Sequence, residues 1–330
     1  MRACVYSRFG PASDVLELRD LPDTALANGD VKVRLAFSGV NPSDVKARAG
    51  ARPGVTELPF PLICPHSDGA GTIVEVGPEV SANRIGERVW IWNGQWQRPF
   101  GTAADTIVLP AEQAVALPEG VTFETGASLG IPGLTAAQVI FGGGDVSGKT
   151  LLIHGGNGSV GHLAVQLAAD AGARVLCTAS PSGFDRCKDA GADQVFDYRS
   201  KDLAQEILAV TDGDLLDRII DPEFGENIAV NSELVAPNGT IAAYGSAKEM
   251  TPTVPFGSLL FRAVKVDITL IYILATEARR QAIQRLHNAL SRGGLTCPVA
   301  RVFPLQDTGK AHVAVEAGGR TGAILVDTQS

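Results

Sequence analysis

The run His154-Gly155-Gly156-Asn157-Gly158-Ser159-Val160-Gly161 places glycines at 156, 158 and 161, a GxGxxG spacing. Residues without a Cβ let a backbone approach a pyrophosphate, and the free N–H groups of a helix start point at that anion. Gly156, Asn157, Gly158, Ser159 and Val160 are therefore candidate phosphate contacts. In a chain with 37 glycines the spacing alone is weak. Its context is stronger. The short apolar run Thr150-Leu151-Leu152-Ile153 leads in, and residues 158–171 lead out with apolar positions at Leu163, Val165, Leu167 and Ala168. Strand, glycine turn and helix within one βαβ unit predict a nicotinamide dinucleotide site. The alternative is a tight strand-to-helix turn with no ligand.

The choice between NAD and NADP rests on the end of the next strand. NAD sites place an acid there for the ribose 2′-OH. This strand ends Cys177-Thr178-Ala179-Ser180, followed by Pro181-Ser182, with no acid. Ser180, Ser182 and Arg186 suit a 2′-phosphate, because hydroxyls and a guanidinium donate to it and the charge is matched. Asp185 opposes that reading. The serines can equally cap the next short helix. NADPH is the expected cofactor.

The elements around these residues change character along the chain. Up to about residue 120 the pattern is β-rich, with alternation at residues 31–37 and further strands at 71–77, 87–92 and 105–110, separated by Gly, Pro and Asn turns. This predicts a small barrel or sandwich. From residue 122 strands alternate with helices: helix 125–140, strand 150–154, helix 158–171, strand 174–178, helix 184–190, strand 194–197, helix 203–210, and strands 217–221 and 239–245. Such alternation means βαβ units and a parallel sheet. A long helix spans 276–292. The fold class is α/β.

A net charge of −8 and the absence of a basic run argue against nucleic acid. The apolar stretch 266–275 contains Asp267 and is too short for a bilayer. The N-terminus lacks a signal-peptide pattern, so a cytoplasmic location without membrane contact is expected. The five cysteines are scattered with no CxxC pair, which predicts free thiols. All three tryptophans fall in residues 90–100. That loop offers an apolar platform for a flat substrate, or packs the barrel rim.

Across essentially its whole length the chain resembles the zinc-free quinone oxidoreductase (zeta-crystallin-like) branch of the medium-chain dehydrogenase/reductase superfamily. The resemblance is carried by Gly39-Val40-Asn41-Pro42-Ser43-Asp44, His66-Ser67-Asp68-Gly69-Ala70-Gly71, Gly86-Glu87-Arg88-Val89, Gly130-Ile131-Pro132-Gly133-Leu134-Thr135-Ala136 and the glycine turn. It implies a GroES-like β-barrel domain from residues 1–122 and 273–330, and a Rossmann doubly wound parallel-sheet domain from 123–272. The active site would lie in the cleft and the protein would be a homodimer or homotetramer.

Zinc relatives carry Cys where this chain has Asn41, and His where it has Ser67. His66 is displaced by one residue, and no partner for it is visible in the sequence. Zinc needs three converging N, S or O ligands, so no metal is expected. Hydride transfer to a quinone or an activated C=C bond puts charge on an oxygen, which asks for a hydrogen-bond donor. The resemblance makes Asn41 the first candidate and Lys46, which matches an enone-reductase variant of the motif, the second. Asn41 alternatively stabilises its loop, and Lys46 alternatively is a solvated surface lysine. Further carried-over cofactor contacts are Thr135, Tyr198, Tyr244, Gly245, Ser246, Tyr272 and Arg320. The implied activity is that of an NADPH:quinone oxidoreductase, with an enone or enoyl-thioester reductase, or a non-catalytic NADPH-binding protein, as alternatives. The expected substrate is a small quinone or enone.

Overall fold

Alternation over residues 31–37 puts every second side chain on one face of a strand. In the computed structural model, which describes residues 1–330, Val31, Val33 and Leu35 on that face are buried, while Arg34 opposite is exposed. The chain begins with β1 (Arg2–Val5), a short α1 (Ala12–Val15) and β2 (Glu17–Asp20), with β1 and β2 antiparallel. β3 (Asp30–Val40), α2 (Pro42–Ala49), β4 (Asp68–Val76), β5 (Arg88–Ile91), β6 (Thr106–Pro110) and β7 (Ala114–Ala116) follow. β3 pairs with β4, β4 with β5 and β5 with β7, all antiparallel. β6 lies along the first half of β3 and leads into β7 through the turn Ala111–Gln113. Val31, Val33, Leu35, Ile73, Val89, Ile91, Ile107 and Leu109 fill the interior. Each such side chain contributes about 1.5–3 kcal/mol on burial.

The expected single helix at 125–140 is broken into three. α3 (Phe123–Gly126) is one turn long, Leu129–Gly133 is a π-helical turn containing Pro132, and α4 (Leu134–Phe141) is regular. Proline removes a backbone donor and crowds the preceding turn, so an α-helix cannot run through it.

The second unit has its own sheet: β8 (Thr150–Ile153), α5 (Ser159–Asp170), β9 (Arg174–Ala179), α6 (Phe184–Asp189), β10 (Gln194–Asp197), α7 (Leu203–Val210), β11 (Leu216–Asp221), α8 (Phe224–Leu234), β12 (Val235–Ala243), α9 (Phe256–Phe261), β13 (Lys265–Ile268) and α10 (Thr276–Ser291). All pairings are parallel, in the order β10-β9-β8-β11-β12-β13. That is the dinucleotide-binding order 3-2-1-4-5-6. Leu176, Leu152, Ile219 and Ile241 stand in register across four strands as one buried row.

The chain then adds β14 (Val299–Pro304), α11 (Thr308–Glu316) and β15 (Ala323–Asp327) to the first sheet, with β15 antiparallel to β3 and β14 parallel to β15. The compact units are Met1–Ile131 with Cys297–Ser330, and Pro132–Thr296. The boundaries read from the sequence, 122/123 and 272/273, lie 9 and 24 residues earlier than these. The second differs because α10 packs on α4 and so belongs to the parallel-sheet unit.

Candidate active site

The turn between β8 and α5 is shaped by its glycines. Gly155 takes φ +69°, a left-handed conformation that costs glycine nothing. Its N–H donates to Oγ1 of Thr178 (3.2 Å), and the N–H of Gly156 to the Thr178 carbonyl (2.9 Å), tying the turn to β9. A Cβ on Gly161 would lie 2.1 Å from the Gly155 carbonyl oxygen, so this glycine lets the helix close on the turn. Gly158 differs, since its Cβ would meet only the Gly155 oxygen, at 3.2 Å. Gly158 is also the N-cap of α5, and no side chain caps that end or places an acid in its first turn. The N-terminal amides of a twelve-residue helix thus have no side-chain cap, and the macrodipole favours an anion there.

A buried hydrogen-bond chain holds this turn, and no local pattern in the sequence announces it. Asp221 accepts from the Asn231 amide (2.7 Å), which fixes that amide's orientation. Oδ1 of Asn231 then accepts from Nε2–H of His154 (2.8 Å). The tautomer leaves His154 Nδ1 to accept from the Thr178 hydroxyl (3.2 Å), the same hydroxyl that receives the Gly155 N–H.

Beyond β9, the Ser180 and Ser182 hydroxyls lie 3.1 Å apart. Ser180 is the N-cap of the turn Pro181–Gly183, but its side chain makes no capping bond. Arg186 donates to the carbonyl and to Oδ1 of Asn157, both at 3.1 Å, so the guanidinium is anchored to the glycine turn itself. Burial pulls its pKa down, which is the signature of a guanidinium partly stripped of water. Asp185 is exposed. Register brings a different acid near: Asp197, opposite Ala179 at the end of β10. Its carboxylate is held by Arg199 at 3.0 and 2.9 Å, which keeps its pKa below the usual range. The exposed Tyr198 ring has the Arg199 guanidinium 5.5 Å from its centroid.

On the neighbouring strand ends, the Tyr244 N–H donates to the Asp221 carbonyl (3.0 Å), and burial together with Asp221 pushes its phenol pKa up. A Cβ on Gly245 would sit 2.4 Å from the Pro222 carbonyl oxygen. Ser246 spends its hydroxyl on the loop, accepting from the Gly225 N–H (2.8 Å) and donating to the Glu249 carbonyl. Thr135 is buried in the first turn of α4, and Tyr272 is half-buried in the turn Ile271–Ile273. The glycine turn, Ser180, Tyr244, Gly245 and Ser246 thus follow the C-terminal ends of β8, β9 and β12, the edge at which open parallel sheets bind ligands.

In the first unit, Asn41 is the N-cap of α2; it is buried, and its Nδ2 donates to Oδ2 of Asp68 (2.7 Å). Oδ1 of Asp68 accepts from the Ile131 N–H (2.8 Å), and the Asn41 N–H donates to Asp44 (2.8 Å). Burial pushes Asp68 well above the usual carboxylate range, with Asp44 adding repulsion, and raises Asp44 to about 7. Lys46 is exposed on α2 and its ammonium makes no hydrogen bond or ion pair. Arg320 is half-buried between α11 and β15, and burial lowers its pKa.

His66 has partners that the sequence hid. Its Nδ1 is 2.8 Å from the Ser38 hydroxyl, and its Nε2 is 2.9 Å from Nε2 of His312 in α11. Burial holds His66 well below its ordinary pKa and His312 at about 3, with Arg48 adding to the latter. Both rings are neutral, so one Nε2 donates and the other accepts. Trp90 is fully buried and cannot belong to a platform, whereas Trp92 and Trp96 are half-buried. The cysteines are all free thiols, four of them buried. No three His, Cys, Asp or Glu side chains are grouped so as to hold a metal ion.

Residues 27–119 match the family model for the alcohol dehydrogenase GroES-like domain, and residues 159–288 that for zinc-binding dehydrogenases. The chain is 29% identical over 326 residues to the quinone oxidoreductase of Pseudomonas aeruginosa, covering 97% of this chain and 98% of that one. It is 32% identical over 256 residues to the human synaptic vesicle membrane protein VAT-1 homolog, covering 76% of this chain but only 62% of that protein. Similar solved structures include an NAD-dependent alcohol dehydrogenase (TM-score 0.87, 27% identity, 99% of each chain). A mycobacterial protein solved with NADPH has TM-score 0.85 and 27% identity, again over 99% of each chain. With a largely antiparallel sheet in the first unit, a parallel sheet in the dinucleotide order in the second and relatives matching from end to end, the chain belongs to the quinone oxidoreductase branch of the medium-chain dehydrogenase/reductase superfamily, with a GroES-like domain and a Rossmann domain.

Proposed function

We propose that this protein is a zinc-independent, NADPH-dependent oxidoreductase that passes hydride to a quinone or another electron-poor C=C–C=O system. The observation that carries the reading is the uncapped N-terminus of α5 behind Gly158, with Arg186 anchored on Asn157 beside two hydroxyls that cap nothing. The NADPH bound by the similar mycobacterial protein supports it, and the quinone oxidoreductase relatives support the substrate class.

In this reading the α5 amides and Gly156 to Val160 hold the pyrophosphate. Ser180, Ser182 and Arg186 hold the 2′-phosphate. Tyr198, Thr135, Tyr244, Gly245, Ser246, Tyr272 and Arg320 complete the cofactor's surroundings. NADPH supplies the hydride and its two electrons. Asn41 donates its second amide N–H to the acceptor's oxygen as charge develops there, and Asp68 keeps the amide from rotating away. A solvent proton completes the hydroquinone. Lys46 acts only if the substrate is an enone whose enolate needs a cation.

A second copy is the proposed partner. β13 is an edge strand with Val266 41% and Ile268 76% exposed, and Ile273 nearby is 68% exposed. An apolar edge of this kind is a template for another strand. The test of the activity is NADPH consumption against quinones, enones and enoyl thioesters, and failure with all three refutes it.

A further inference from the structure

Beneath the glycine turn lie two thiols that the cofactor reading leaves unused. A Cβ placed on Gly156 would meet Cys177 Sγ at 2.8 Å and Cys187 Sγ at 3.2 Å. Both sulfurs therefore border one point, one carried by β9 and the other by α6, and both side chains are fully buried. Gly156 has no side chain, and the two sulfurs are the floor on which it rests.

We propose that Cys177 and Cys187 are a redox modification site: a hydroperoxide converts them to a disulfide, and the bridge lowers affinity for the dinucleotide. The proposal rests on the NADPH reading for its second half only.

The neighbouring chemistry suits the first step. The Cys177 thiol beside it and the Arg186 guanidinium favour the thiolate of Cys187 against the opposing effect of its burial, while Cys187 and burial push Cys177 up. A thiolate next to a protonated thiol is the arrangement in which one sulfur attacks and the other resolves. The Cys187 sulfur attacks the peroxide, breaking its O–O bond, forming a sulfenic acid and releasing hydroxide. The Cys177 sulfur displaces the sulfenic oxygen as water and gives up its proton. Two thiols and one hydrogen peroxide become one disulfide and two waters.

The coupling to the turn follows from connectivity. A disulfide brings its sulfurs to about 2.05 Å, so α6 must shift against β9. Arg186 precedes Cys187 and is the residue that grips Asn157. Linkage is reciprocal, so bound NADPH must oppose bridge formation by the factor by which the bridge weakens NADPH.

The full chain, reduced and freed of reductant, is treated with hydrogen peroxide with and without NADPH. Bridging is read by alkylation in denaturant, intact mass and peptide mapping. Affinity is read by NADPH fluorescence. The expected results are a bridged peptide joining Cys177 to Cys187, at least fivefold weaker NADPH binding reversed by dithiothreitol, slower bridging with NADPH present, and no bridge in peroxide-treated Cys187→Ser or Cys177→Ala. Two thiols that stay alkylatable, or a bridge that leaves affinity unchanged, overturn the proposal. If the reduced protein binds no NADPH, the cofactor reading and the coupling fall together, while the mass data alone still decide whether the bridge forms.

Discussion

The side-chain amide of Asn41 donates to the buried carboxylate of Asp68 at 2.7 Å, and the other oxygen of that carboxylate is held by the Ile131 N–H. Asp68 therefore fixes which way the Asn41 amide faces. If Asn41 supplies the donor for developing charge, Asn41→Ala lowers kcat by about 100-fold, the usual cost of one such donor. NADPH affinity stays within twofold. Asp68→Asn frees the amide to rotate and lowers kcat by a smaller factor, about tenfold. Steady-state kinetics with titrated NADPH binding checks both.

Arg186→Ala removes a cation from the end of β9. A charge-assisted bond to a phosphate is worth about 1.5–3 kcal/mol, or roughly 10–100-fold in affinity. The loss is expected for NADPH and not for NADH, so the ratio of the two dissociation constants is the readout. Equal losses would place Arg186 in the turn's architecture instead, through its bonds to Asn157.

The two ends of the glycine motif separate folding from binding. Gly161→Ala drives a Cβ to 2.1 Å from the Gly155 carbonyl oxygen and must move backbone. The expected loss is about 1–3 kcal/mol or more, seen as a lower midpoint in thermal or urea unfolding. Gly158→Ala meets only one atom at 3.2 Å. It leaves the midpoint close to wild type but weakens NADPH binding at least tenfold, because the methyl stands where the pyrophosphate approaches.

Asp44 makes a pH prediction with a definite sign. Burial raises its pKa from 3.8 to about 7, so the native state binds its proton more tightly than the unfolded state does. The stability it contributes is fully present below about pH 4 and is lost as pH rises through about 7, by an amount on the order of 4 kcal/mol at most. His66 and His312 act oppositely, since their lowered pKa values cost stability as pH falls below 6.5. The difference between wild type and Asp44→Asn isolates the aspartate. Urea unfolding at pH 5 and pH 8 should show wild type losing more than the variant on going to the higher pH.

Ile268→Lys places a charge on the free edge of β13. If two copies pair along that edge, sedimentation equilibrium shows the variant dissociating at concentrations where wild type remains associated. A wild-type monomer at the same concentration contradicts the proposed partner.

Local features were legible in the sequence and distant ones were not. The glycine turn could be read because its strand, turn and helix are contiguous, and Gly161 answers to a steric need at Gly155, within the same turn. The alternation of strands and helices likewise specified the parallel sheet. The break at Leu129–Gly133 was present as Pro132 but was outweighed by the alanine-rich pattern around it. His66 looked solitary because its partner, His312, lies 246 residues away in a helix with no motif to mark it. Asp68 was visible inside a quoted motif, yet its bond to Asn41 depends on how β4 lies beside the start of α2. The chain from Asp221 through Asn231 and His154 to Thr178 joins residues from four elements or their ends, and spacing alone carries no trace of it.

The measurement that bears most directly on the central claim is turnover by chelator-treated, metal-analysed protein, followed as loss of reduced nicotinamide absorbance with a quinone and with an enone. The account predicts NADPH oxidation at full rate with less than one zinc per chain, at a catalytic efficiency at least tenfold higher for NADPH than for NADH. Activity that vanishes on chelation and returns with zinc, or NADPH that binds and is never consumed by either acceptor class, would contradict it.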